Sequence, residues 1–196
     1  DQKNWSGSYS AGTYSTHKID IQHARTFNKI SYSAGFENHN AKGFSSAMDK
    51  SNSGLFDKDA YNNKSWFVNL NYAINPFWIL KAYTRQTSYI ADVDYGAFKD
   101  DKDEYFHNAT KMTGLTLKYK KAQTSFQFQY QYNTQDRKYL NDSADRTYIT
   151  YENNHYWGKS HFSDAFFTTN VTKHIQWIIG TDFRYGSYKQ DYYSIS

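Results

Sequence analysis

Six carboxylates crowd the stretch between positions 92 and 104: Asp92, Asp94, Asp100, Asp101, Asp103 and Glu104. A hard cation such as Ca²⁺ takes about six to eight oxygen ligands at about 2.3–2.6 Å. The run is therefore a candidate calcium site. It lacks the spacing of an EF-hand, in which a bidentate Glu closes a D-x-D-x-D-G loop. The plain alternative is a solvated surface loop, which charge runs usually are. Aromatic rings accompany the acids: Tyr95, Phe98 and Tyr105 in the same segment, and Phe44, Phe56 and Tyr61 in an earlier one. Aromatic-rich concave surfaces grip large planar ligands. Packing of one loop on another is the alternative for these rings.

Little else in the chain points to covalent chemistry. There is no cysteine, which excludes disulfides, thiolate metal sites and a cysteine nucleophile. The seven histidines show no metal-binding spacing, and no G-x-S-x-G, P-loop or dinucleotide fingerprint is present. His107 lies near Asp103, but no serine has a distinctive context. The chain is read as a binding protein and not an enzyme.

The elements that must carry these groups are strands. In the segment 124–133, Phe126, Phe128, Tyr130 and Tyr132 share one face, while Ser125, Gln127, Gln129 and Gln131 share the other. Alternation with aromatics at every second place is a strand signal. It recurs through Ile30, Tyr32, Ala34 and Phe36, through Trp66, Val68, Leu70 and Tyr72, and through Trp177, Ile179, Thr181, Phe183 and Tyr185. Nine strands are expected, at about 5–13, 17–25, 29–38, 64–73, 77–88, 110–119, 123–133, 159–169 and 174–188. The eighth is irregular: Phe162, Phe166 and Phe167 do not share a face and Asp164 interrupts, so a bulge is expected there. No helix is expected. The fold class is all-β: an antiparallel up-and-down meander of about nine long strands.

The 196 residues form one domain by length, with 20% aromatics and a net charge of +4 from mixed signs. That balance gives no basis for nucleic-acid binding. Mean hydropathy is −0.93, and no run approaches the ~20 apolar residues of a spanning helix. Barrel strands hide half their residues from lipid, so low hydropathy does not argue against a membrane barrel. The more apolar face of the eight clear strands reads as free of Asp, Glu, Lys and Arg. The other face carries Lys18, Asp20, Glu37, Lys81, Lys118, Asp182 and Arg184. Trp5, Trp66, Tyr72, Trp78, Tyr83, Tyr119 and Tyr185 lie toward strand ends, as the aromatic girdles of outer-membrane barrels do. After the second strand, short joins alternate with long ones at about 39–63, 89–109 and 134–158. The join near Tyr14 and Ser15 is short where parity asks for a long one.

An odd number of strands does not close a single-chain bacterial barrel. A segment of a larger transmembrane outer-membrane β-barrel is expected, over residues 1–196. The other readings are a complete small barrel acting as adhesin or pore, a barrel enzyme, and a soluble β-sandwich binding module.

The runs GSYSAGTY (7–14), HKIDIQH (17–23) and KISYSAGF (29–36) resemble the first barrel strands of TonB-dependent receptors. The run VTKHIQWIIGTDFRY (171–185) resembles a recurring strand of the same family, and the nearest likeness is to its cobalamin-receptor branch. The resemblance covers about residues 5–190 in order. It implies uptake of a large scarce nutrient, cobalamin or a siderophore, across the outer membrane of a Gram-negative bacterium. It implies a 22-stranded barrel, with the N-terminal plug and the last strands absent from this chain. Energy would come through TonB by way of an N-terminal box. It also implies calcium in loops at the position of 89–109, as some cobalamin receptors have, and a surface lipoprotein as a partner for the loop aromatics. No other cofactor is implied.

Overall fold

The structure, a computed structural model, describes residues 2–141 and 151–195. They form nine strands: β1 (Gln2–Gly12), β2 (Thr16–Phe27), β3 (Ile30–Ala41), β4 (Tyr61–Ala73), β5 (Trp78–Asp92), β6 (Tyr105–Lys121), β7 (Thr124–Asn141), β8 (Tyr151–Asn170) and β9 (Gln176–Ile195). All pair antiparallel in one sheet whose spatial order is the chain order. There is one sheet, not the two stacked layers of a sandwich. No helix occurs among the described residues.

Every ladder is continuous. The β7–β8 register runs unbroken from Thr124 opposite Thr169 to Asn141 opposite Glu152. The bulge expected in the eighth strand is absent. Phe162, Asp164 and Phe166 lie on one face and Phe167 on the other, which needs no extra residue. The connections 28–29 and 122–123 are two-residue hairpin turns, with Asn28 and Ala122 at positive φ. The join at 13–15 is indeed tight, with the Thr16 amide donating to the Thr13 carbonyl at 3.1 Å.

The strands are longer than their hydropathy suggests, and most of the added length is at the end bearing the long loops. β7 continues to Asn141 and β8 begins at Tyr151. Most of the expected loop 134–158 is therefore strand, and its centre, 142–150, lies outside the described residues. Likewise the expected loop 89–109 shrinks to 93–104, and 39–63 to 42–60.

Residues directly opposite in an antiparallel pair share a face. One row runs Trp5, His23, Ala34, Val68, Thr84, Thr113, Tyr132, His161 and Tyr185 across all nine strands. This defines the apolar face. Its complement holds Lys18, Asp20, Glu37, Lys81, Lys118, Asp182 and Arg184, where Lys18 meets Glu37 at 2.9 Å. Two details of the sequence reading need correction. Arg25, Lys64 and Lys111 also lie on the apolar face, so its charge-free zone is a band and not whole strands. Tyr83 lies on the polar face, outside any girdle. Its hydroxyl donates to Gln131 Oε1 at 2.7 Å, and the ring crosses β6 where Gly114 leaves no Cβ in the way.

The band spans Thr113–Tyr119 on β6, Phe126–Thr134 on β7 and Trp177–Ser187 on β9. Some 7–11 residues at about 3.3 Å, tilted about 45°, give roughly 16–26 Å of height. Trp78 and Tyr119 meet within it at 4.8 Å between ring centroids. Below it, Arg25 lies 5.5 Å over Phe27 and Lys121 lies 5.2 Å over Phe77.

The sheet covers no apolar core. Among the described residues the one buried apolar side chain is Ala47, in a loop; the buried polar ones are Asp101, Glu104, Thr116 and Asn141. Trp5 is 67% exposed, Ile179 63% and Phe183 61%. Large apolar side chains thus line one face of a sheet that no other described part of the chain covers.

Candidate functional site

The two long loops described, 42–60 and 93–104, close over one end of the sheet and bind each other. The Met48 amide donates to the Ala97 carbonyl at 2.8 Å. Asp94 organises the contact. Its Oδ2 accepts from the Ser45 hydroxyl (2.9 Å), the Ser46 hydroxyl (3.0 Å) and the Ala47 amide (2.6 Å). Its Oδ1 accepts from the Asp101 amide at 3.0 Å. Asp100 joins the same contact from the other side, accepting from the Asp57 amide at 2.9 Å. Gly43, at φ +68°, makes the approach feasible, since a Cβ there would overlap the Asp59 carbonyl.

The result is a group of half-buried carboxylates. Oxygens of Asp57, Asp94 and Asp100 all lie within 4.8 Å of one another. Asp57 Oδ1 and Asp59 Oδ1 are buried without a hydrogen-bond partner among the described residues. Burial and the neighbouring Asp100, Asp59 and Asp94 push the Asp57 carboxyl up to about 6. Asp59 is raised by burial and by Asp94, against hydrogen bonds from Ser46. Burial also acts to raise Asp94, yet its bonds from Ala47, Asp101, Ser45 and Ser46 hold it below the ordinary value. Oxygen donors at this spacing, with Asp57 Oδ1 among them lacking a hydrogen-bond partner among the described residues, fit a hard cation.

Of the six acids in the sequence run, only Asp94 and Asp100 enter this group. Asp92 Oδ2 accepts from the Ala60 amide at 3.2 Å. Asp101 and Glu104 form a separate buried network, both accepting from Asn141 Nδ2, at 2.9 and 3.2 Å, while Tyr139 donates to Glu104 at 2.7 Å. The Asp103 amide donates to Asp101. The third carboxylate, Asp57, comes from the other long loop. A second acidic loop was its only sequence signal.

The six aromatic candidates also divide. Phe44 meets Tyr14 in a tilted contact, 5.1 Å between ring centroids. Phe98 lies beneath Lys50 Nζ at 3.4 Å, a contact of one loop on the other, while Tyr95 lies 5.2 Å from Lys99 Nζ within its own loop. Phe56 is half-buried in the 42–60 loop. Tyr105 is not in a loop; it starts β6 on the apolar face, away from the others. Tyr61 starts β4 on the polar face and begins a line that the sequence reading missed. His39 meets Tyr61 at 5.5 Å, Tyr61 meets Tyr89 at 6.2 Å, and Tyr89 meets Phe106 at 5.9 Å. Arg137 lies 4.5 Å from the Phe106 ring centre and 5.9 Å from that of Tyr156. Gln190 Nε2 then donates to the Tyr156 hydroxyl at 3.1 Å. This line crosses β3 to β9 on the polar face, just below the loops. Beneath it a depression of about 550 Å³ is lined in part by Arg85, Met112, Asn133 and Ser160.

The sheet is similar to part of the siderophore receptor PiuA from Acinetobacter baumannii, with a TM-score of 0.72 at 10% identity over 97% of this chain. The chain spans 31% of that receptor's length. A second similar structure is OmpTdeltaL8, a loop-deletion mutant of an outer membrane protein of Vibrio cholerae, with a TM-score of 0.44 and 14% identity over 98% of this chain and 60% of that one. No family model matches the sequence, and no curated protein matches it. The fold is thus that of an outer-membrane β-barrel wall.

A carboxyl whose folded pKa is raised binds extra protons in the folded state, so stability falls as pH rises through the window between its two values. For Asp57 that window is about pH 4–6. Without divalent ions, the Ser46 and Ala47 amides should exchange hydrogen more slowly, after correction for intrinsic rates, at pH 5 than at pH 7.5. Asp57→Asn should shrink that difference. Greater protection at pH 7.5 in the unsubstituted protein would contradict the raised value.

Proposed function

We propose that this chain is wall of an outer-membrane receptor barrel that takes up a large scarce nutrient of the siderophore or cobalamin class. The observation that carries the reading is the uncovered apolar face, free of charge over a band of membrane height. The polar face then meets the aqueous lumen. At its loop-bearing mouth the line from His39 to Tyr156, with Arg137 set among the rings, suits a large conjugated ligand that carries negative charge. The PiuA likeness agrees with a receptor of this kind. Energy coupling through TonB and a surface lipoprotein seated on the loops belong to the same reading.

A hard cation belongs to it as well. Calcium would be held by Asp57, Asp94 and Asp100, with Asp59 beside them, and would tie loop 42–60 to loop 93–104 by neutralising like charges that otherwise repel. The motivating observation is the convergence of these three carboxylates from two loops.

Two measurements test these statements. In liposomes, Leu115→Arg at mid-band should cost about 2–4 kcal/mol of unfolding free energy, and Gln129→Arg on the lumen face about zero. Equal costs, or a folded monomer soluble without detergent, would contradict the barrel reading. Calorimetric titration of the intact protein with CaCl₂ should show saturable heat that Asp57→Asn with Asp94→Asn abolishes. An absence of heat at millimolar Ca²⁺ would remove the metal from the account.

A further inference from the structure

The apolar face changes character at one level, and the change is built from four neighbouring strands. Small residues Ala82, Thr84 and Thr113 form a floor on β5 and β6, and Leu70 on β4 and Tyr130 on β7 rise on either side. The Thr84 and Thr113 hydroxyls bond each other at 3.1 Å, which lowers the polarity of the floor at that step. The groove holds about 880 Å³, and its rim toward the loops is formed by Lys111.

Lys111 is not alone there. The register places Lys111 opposite Thr134, Thr134 opposite Lys159, and Lys159 opposite Ser187. One step nearer the loops come Asp136, Trp157 and Lys189, and one step further Lys138, His155 and Asp191. The acids in this zone are already engaged: Asp136 accepts from His155 Nε2 at 2.8 Å, and Asp191 meets Lys189 at 3.3 Å. Lys189 also lies 5.3 Å from the Trp157 ring centre. Lys111 and Lys159 are exposed, and neither has an ion-pair partner among the described residues. A second depression, of about 560 Å³, runs between Thr134, Trp157, Lys159 and Lys189.

We infer that Lys111, Lys159 and Lys189 bind the phosphate-bearing headgroup of an outer-leaflet lipid, whose acyl chain lies in the groove between β4 and β7. The inference rests on the barrel reading, since that reading puts hydrocarbon against the band and headgroups at its upper margin. Charge complementarity selects the occupant: cations crown an apolar groove at the level where a lipid carries its anionic phosphate. A protein ridge would match the groove alone, with no use for Lys111 and Lys159 above it, which have no ion-pair partner among the described residues. Each basic side chain at a membrane surface is worth about a fivefold change in affinity for anionic lipid.

The test uses the intact protein in mild detergent and native mass spectrometry, with monophosphorylated lipid A and its dephosphorylated form as probes. The unsubstituted protein should retain the phosphorylated lipid, and K111Q/K159Q/K189Q should lose about 100-fold in apparent affinity for it. The dephosphorylated lipid should bind weakly to both, and 10 mM inorganic phosphate should not displace the bound lipid, which separates a headgroup site from a free-phosphate site. A K138Q variant with the three lysines intact controls for general charge loss and should lose at most about fivefold. Equal retention of phosphorylated lipid by the parent and the triple variant, or displacement by inorganic phosphate, would overturn the inference and leave the barrel reading intact. Failure of the intact protein to enter detergent or liposomes as a folded, heat-modifiable species would overturn both.

Discussion

The sheet depends on one constraint: what shields the apolar face. Among the described residues no second layer covers it, so rings and branched side chains stand exposed across all nine strands. In water such a face would drive association. Against hydrocarbon it is the ordinary surface of a barrel. The same surroundings explain the unbroken ladders. With no water to satisfy a free amide or carbonyl, a bulge inside the band would cost several kcal/mol per unpaired group. The register accordingly runs through without one.

The two faces then answer different demands. On the lumen side, polar groups pair with one another: Lys18 with Glu37, Asn69 with Ser33, Asn133 with Ser160. Toward the loops this face becomes aromatic, from His39 to Tyr156. Among the described residues, burial is concentrated at the loop-bearing end, where Asp94 draws one loop onto the other and Asn141, at the end of β7, bonds Asp101 and Glu104. The sheet carries this line of rings on its polar face, and the carboxylate group sits above it where the two loops meet.

The sequence displayed the nine strands and their order because period-two alternation survives wherever one face is apolar. It failed where both faces are wet. Asp136, Arg137 and Lys138 are strand residues at the end of β7, but charges on both faces erase the contrast that marks a strand, so 134–158 read as loop. The same effect hid Tyr156 and Arg137 as members of the aromatic line. Parity alone, carried a few residues further along each strand, would have placed them. The acidic run showed that carboxylates gather near residue 100, but not that Asp57 would join them, since that convergence depends on how two loops fold over each other. The expectation of a wholly uncharged apolar face fails at Arg25, Lys64 and Lys111, because these sit toward strand ends, beyond the charge-free band.

The absence of cysteine allows single cysteines to be placed at will. Spin labels at successive β6 positions 113–118, with the protein in liposomes, measure the central claim directly through collision with oxygen and with a water-soluble nickel chelate. Labels at 113, 115 and 117 should be open to oxygen and closed to nickel, with the opposite pattern at 114, 116 and 118. Labels at 115 and 117 closed to both reagents would mean that protein seals that face, and the account would fail.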